Sequence, residues 1–343
     1  MPDCVDHLPA FARDGINLAS AGLGAKPLFA TDEFFAPLER MLSDSPAVFI
    51  PEKYDDHGKW MDGWETRRRR GSGHDHAVVQ LAAPGTIRGF DVDTAHFTGN
   101  YPPACRIEAT LSPHEPDAAT RWTEVLALSP LGPGARHFFA CASDAVWSHV
   151  RLHIHPDGGV ARLRVYGQPS LGTHGADGSS IDLAASLFGG RVVAMSNAHY
   201  GHQRLLAPGR GVNMGDGWET RRRREPGHDW IIVRLAARGT IESAVVDTAH
   251  FKGNFPDACS IQAADLGDSS GGLDPLVVPS SMFWDEILPP QKLSADAIHE
   301  FGAGQIRQAG AVTHARFNIY PDGGVSRLRL FGKIGSKEPC ATF

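Results

Sequence analysis

Two blocks of polar residues hold the side chains from which a reaction could be built. The first comprises Asp62, Glu65, Arg67 to Arg70, His74, Asp75, Asp93, His96 and Asn100. The second comprises Asp216, Glu219, Arg221 to Arg224, His228, Asp229, Asp247, His250 and Asn254. Carboxylates beside imidazoles suit general acid–base transfer, and guanidinium forks suit bidentate capture of a carboxylate or ureido oxygen. Asp93 and His96 lie three residues apart, just ahead of a Gly-Asn turn. Such a pair can move a proton, or can ligate a divalent ion with His74 and Asp75 joining it. The plainer reading is that Asp93 and Asn100 hydrogen-bond turn backbone. The arginine run also has a plain reading. In an extended strand Arg67 and Arg69 face one way and Arg68 and Arg70 the other. At least two of the four therefore belong in ion pairs with Glu65, Asp75 or Asp93. Trp64 and Trp218 read as core anchors.

The two blocks are one block written twice. Residues 62–109 and 216–263, offset by 154, share 32 identities in 48 positions without a gap. The match resumes at an offset of 165, where HVRLHIHPDGGVARLRVYG (149–167) faces HARFNIYPDGGVSRLRLFG (314–332). The first copy has 11 extra residues between Phe35 and Asp62, and the second has 11 extra between Ala263 and His314. Each copy, 16–167 and 181–332, is 152 residues long, the size of a domain and not of a solenoid repeat. The expected division is therefore a first domain at 1–167, a Gly/Ser-rich linker at 168–180 and a second domain at 181–343. Apolar positions differ between the copies (Ala77/Ile231, Phe90/Ala244) while the polar blocks do not.

The elements that must position these residues are mostly strands. HAVVQL (76–81) and WIIVRL (230–235) are short β-branched runs that end at AAPG and AARG turns. HVRLHIH and VARLRVYG predict a hairpin about PDGG, with Arg and His on one face and Val, Leu and Ile on the other. The better helical windows are FFAPLERML (34–42) and the stretch after Trp284. Gly 38 and Pro 24 supply frequent turns. The fold class that follows is mainly β, as two tandem β-sandwich or jelly-roll domains.

Composition excludes several classes. With 39 acids against 33 bases the net charge is −6, and no aromatic-interleaved basic surface accompanies the arginines. A dedicated nucleic-acid partner is therefore not expected. No window approaches a membrane span, the acidic start MPDCVDHLPAFARDG lacks a leader pattern, and CATF is no targeting signal. Five cysteines at 4, 105, 141, 259 and 340 form no CxxC pair, so the cytoplasm is the expected compartment. HExxH, GxSxG, GxGxxG and P-loop motifs are absent.

GKWMDGWETRRRR, GHDHAVVQLAAPGTI, VDTAHFTGNYPPA and PDGGVARLRVYG, with their second copies MGDGWETRRRR, GHDW, VDTAHFKGNFPDAC and PDGGVSRLRLFG, resemble the allantoicase family over about 14–332. His76 is a departure, standing where an aromatic such as Trp230 is more typical. The resemblance implies two tandem jelly rolls of the galactose-binding-like class, a homo-oligomer, and hydrolysis of allantoate to ureidoglycolate and urea in purine breakdown. Allantoate has a carboxylate and two ureido groups on one carbon, so the reaction needs a cationic clamp, amide partners and an acid–base group. The residues expected to touch the chemistry are His96, Asp93, Glu65, His74, His250 and Asp247. Those expected to bind substrate are Arg67, Arg69, Asn100, Arg221, Arg223 and Asn254. In this scheme an arginine orients the carboxylate, His96 or His74 protonates departing urea, and Asp93 or Glu65 directs water. No cofactor is required by the sequence, and assistance by a divalent ion such as Mn²⁺ is left open. The competing class is a non-catalytic carbohydrate- or ligand-binding jelly roll, and a third reading is a hydrolase of a related ureido compound.

Overall fold

The computed structural model describes residues 8–267 and 277–335. Cys4, Cys340, the first residues of the MPDCVDHLPAFARDG start and the CATF end lie outside them. Contacts divide the chain after Ser170 into two units, and the same architecture recurs in each.

In the first unit the long strand Asp75–Asp93 organises everything else. Its first half runs between Lys26–Ala30 and Val146–His155, and its second half between Arg136–Ala140 and Arg162–Pro169. One strand thus serves two layers. Apolar residues of both halves (Ala77, Val79, Leu81, Ile87, Phe90, Val92) join Val150, Leu152, Ile154, Leu163 and Val165 in one core. In the second unit Asp229–Asp247 plays this part between Arg191–Met195, Val312–Tyr320, Ile298–Phe301 and Arg327–Ile334. The β-rich, two-copy expectation holds.

Four local expectations fail for identifiable reasons. AAPG and AARG do not end a strand but sit inside one, at the corner where it passes between layers. Pro84 is exposed there and loses nothing by lacking an N–H, while its carbonyl still accepts from Ser170 N at 2.8 Å. HVRLHIH and VARLRVYG do not form a hairpin, because the long strand lies between them and PDGG is a crossing. Their face pattern is correct, with Val150, Leu152 and Ile154 fully buried. FFAPLERML yields only one 3₁₀ turn, Leu38–Leu42, entered from Pro37. The stretch after Trp284 is the strand Asp285–Lys292, whose Pro289 and Pro290 are unsuited to a helix interior.

Candidate functional site

In each unit a two-residue strand bears a tryptophan followed by a glutamate: Trp64–Glu65 and Trp218–Glu219. The tryptophans are completely buried, and their indole N–H groups donate to Asp32 O at 2.8 Å and Asn197 O at 2.9 Å. This anchor fixes where the next residue points. Glu65 pairs with Gly159 of the PDGG crossing on one side and bridges to Ala36 on the other. The two glycines of PDGG are both required. A Cβ on Gly158 (φ 141°) would lie 2.6 Å from Pro102 N, and one on Gly159 would lie 2.0 Å from the Phe97 ring. The crossing is thereby drawn against the Asn100 turn, and Gly159 N donates to Asn100 O at 2.8 Å.

This convergence leaves a cavity of about 400 Å³ bordered by Glu65, Thr66, Arg68, Asn100, Asp157 and Gly158, among others. Its counterpart of about 440 Å³ is bordered by Glu219, Thr220, Arg222, Asn254, Asp322 and Gly323. Glu65 Oε1 accepts from Asn100 Nδ2 at 2.5 Å, while Oε2 accepts from no described residue. Burial pushes the Glu65 carboxyl above the ordinary carboxylate range, and the Asn100 bond pulls it part of the way back. Arg68 is exposed and makes no ion pair or hydrogen bond among the described residues, so its whole guanidinium is available. Asp157 Oδ2 accepts Arg69 N at 2.8 Å. A cation, a buried carboxyl and a second carboxylate thus share one pocket. That set can hold a small anion carrying N–H donors and exchange a proton with it.

Of the residues expected from sequence, the structure brings Glu65, Asn100 and Arg69 to the first cavity and Asn254 to the second, beside Glu219. The guanidinium groups of Arg69 and of the other expected arginines are held in ion pairs. Arg67 grips Asp32 through Nε at 2.7 Å, and Arg69 meets the buried Asp75 at 2.5 Å. Arg221 pairs with Glu225 at 2.8 Å and Arg223 with the buried Asp229 at 2.6 Å. Alternation along the run separates Arg68 and Arg70 from the ion-paired Arg67 and Arg69, but only the fold places Arg68, and Arg222 in the second copy, at a cavity. Asp157 and Asp322 stand in PDGG, which has the sequence of a plain turn and whose identity in both copies is the signal that points to them.

Asp93 and His96 do not reach the cavity lining. Asp93 Oδ1 accepts Ala95 N at 2.8 Å, and Asp247 does the same for Ala249 N at 2.8 Å. His96 and His250, both at φ 70°, close these turns, and their Nε2 atoms meet Ala47 O at 3.1 Å and Gly211 O at 2.8 Å. The turn-building reading is what the geometry displays.

His74 belongs to a network on the outer face of the first unit. It stacks on His155 with centroids 4.0 Å apart, and its Nε2 meets His153 Nδ1 at 2.8 Å. His153 Nε2 in turn meets Glu108 Oε2 at 2.8 Å. Burial holds His153 down to about 4, against the pull of Glu108, so the ring is neutral and donates to the carboxylate. His314, at a different position in the second unit, is also pushed down to about 4 by burial. Both rings titrate below the ordinary 6.5, so their contribution is fully present above that value and is lost as pH falls toward 4. Each costs on the order of 3 kcal/mol at the acid end. Thermal unfolding scans should show Tm falling steadily from pH 6.5 to 4.5, and His153→Gln should flatten that slope. A Tm level over this range would contradict the assignment. Among the described residues no three His, Cys, Asp or Glu side chains are grouped to hold a metal ion.

The allantoicase-repeat family model matches residues 16–170 and 181–335. A probable allantoicase of Rhizobium meliloti is 68% identical over 327 residues, covering 95% of this chain and 96% of that protein. One of Ralstonia nicotianae is 55% identical over 337 residues, covering 97% and 99%. The crystal structure of allantoicase from Saccharomyces cerevisiae superposes with a TM-score of 0.78 at 32% identity, covering 93% of each chain.

Proposed function

The chain belongs to the allantoicase family, and from that premise we infer that it hydrolyses allantoate to ureidoglycolate and urea, a step of purine breakdown. The observation that carries the chemistry is the pairing of Arg68 with a buried Glu65, the guanidinium and Oε2 both without a partner among the described residues. Arg68 takes the substrate carboxylate in its fork. Asp157 accepts N–H groups of a ureido arm. Glu65, ionised, draws a proton from water as the oxygen bonds to the central carbon. The C–N bond breaks in that same step, because the central carbon already carries four substituents, and the proton passes from Glu65 to the departing ureido nitrogen, which releases urea and restores the carboxylate. One water is consumed per turnover, and no group of the protein is altered.

The base must be ionised, so kcat/KM falls as pH drops through the Glu65 pKa, at a value above the ordinary carboxylate range. Asn100 donates to that carboxylate, and removing the donor raises the pKa further. In Asn100→Ala the acid limb of the kcat/KM profile should therefore move to higher pH. A lower rate with an unmoved limb would reduce Asn100 to a purely structural part.

Urea release from allantoate by the purified protein tests the reading, with ureidoglycolate as the parallel substrate. Release from allantoate alone supports it. Binding without release supports the ligand-binding class, and faster release from ureidoglycolate supports a related ureido hydrolase. No described helix is long and apolar enough to cross a membrane. We place the enzyme in the cytoplasm, a reading supported by the free, buried Cys105, Cys141 and Cys259. We also propose a homo-oligomer. Val48, Phe49, Ile50 and Tyr54 lie exposed on the segment that lengthens the first copy, and light scattering of the purified protein reads the assembly directly.

A further inference from the structure

Besides Tyr101/Phe255 and Pro103/Asp257 in their linings, the two cavities differ opposite the glutamate. The backbone partner of Glu65 is Ala36, whereas that of Glu219 is Tyr200. An offset of 165 would pair Tyr200 with Phe35, but the bridges place one extra residue of the first copy ahead of Ala36. The others fall between the 3₁₀ turns and Asp62 or Asp216, where 43–61 faces the shorter 207–215. Ala36 carries only a methyl group, and neither it nor Phe35, which lines the cavity, has a side-chain donor for Glu65. Tyr200 offers Glu219 a hydroxyl, which donates to Oε2, while Asn254 Nδ2 donates to Oε1. Both oxygens of Glu219 are therefore engaged. The Tyr200 hydroxyl is pushed up to about 12 by its bond to Glu219, so it remains a donor throughout the working pH range. A carboxylate whose two oxygens both accept such bonds must break one of them before it can take a proton from water. The holding groups of the second cavity are retained: Arg222 is exposed and unpaired among the described residues, and Asp322 accepts Arg223 N at 2.8 Å, as Asp157 accepts Arg69 N, while Asp257, which replaces Pro103, is paired with Lys292.

We propose that the first repeat carries turnover and that the second repeat is a binding site for the same class of ligand, a small ureido carboxylate, which it holds without hydrolysing. This rests on the reading of the Glu65 cavity as the reaction site. Arg222 and Asp322 are the holding groups of the second site, and Glu219 lies outside that set because it is spent on Tyr200 and Asn254.

Steady-state urea release by Glu65→Gln and Glu219→Gln, each checked for an unchanged Tm, separates the possibilities. The expected pattern is a loss of at least a hundredfold in kcat for Glu65→Gln and of less than threefold for Glu219→Gln. Comparable losses in both, or the larger loss in Glu219→Gln, would overturn the division of labour while leaving the cavities as the reaction sites. No loss in either would overturn the site reading itself. If Glu219→Gln fails to fold, Tyr200→Phe takes its place, with kcat expected to stay within threefold and a tenfold fall counting against the proposal. Calorimetric titration of the Glu65→Gln protein with allantoate should give two sites per chain, and adding Arg222→Ala should leave one. A single site unaffected by Arg222→Ala would overturn the second binding site.

Discussion

Glu65→Gln is expected to lower kcat for urea release by about a thousandfold, with KM changed by less than about threefold. The substitution keeps size and leaves a carbonyl oxygen to accept from Asn100, so the local structure is retained. What it removes is the capacity to take a proton from water, an interaction made only in the transition state. The loss therefore falls on kcat, at about 4 kcal/mol. The control is internal to the sequence-derived scheme. His96→Ala should change kcat by less than about threefold, because its ring nitrogen is committed to Ala47 O and it does not border the cavity. A large effect of His96→Ala with a small effect of Glu65→Gln would return the chemistry to the Asp93–His96 turn.

Arg68→Ala is expected to cost about a hundredfold in kcat/KM, on the order of 3 kcal/mol. Arg68→Lys should recover only part of it, because a point charge cannot reproduce two parallel N–H···O contacts. Most of the loss should appear in KM, since the carboxylate is held alike before and during reaction. Its neighbour provides the contrast. Arg67 sits at the surface on Asp32, with its guanidinium over Phe34 at 5.2 Å, and Arg67→Ala should cost less than about fivefold. Equal effects of the two would contradict the assignment of Arg68 as the clamp.

The duplication and the β-rich fold were legible because they rest on long, gapless identities and on alternation that the buried face enforces. Trp64 and Trp218 were legible as anchors for the same reason. What alternation cannot supply is which strands are neighbours. The PDGG segment has the residues of a tight turn, yet Gly158 and Gly159 serve a close approach to the Asn100 turn and to Phe97 that no local pattern reveals. The site followed the same rule. Glu65 and Asn100 were identified because they sit in the repeated blocks. Arg68 is not singled out by sequence, because Asp75 is an expected partner of the run but Asp32, which engages Arg67, comes from a segment 35 residues away. Asp93 and His96 have the spacing of an acid–base pair, yet Asp93 accepts within its own turn and His96 Nε2 meets Ala47 O on a segment remote in sequence.

The most direct test of the account is a crystal structure of the Glu65→Gln protein soaked with allantoate, which that variant should bind and fail to consume. The prediction is allantoate in the first cavity, its carboxylate on the Arg68 guanidinium and a ureido arm at Asp157, with residue 65 beside the central carbon. Allantoate seated at the Asp93–His96 turn, with the Glu65 cavity holding none, would contradict it.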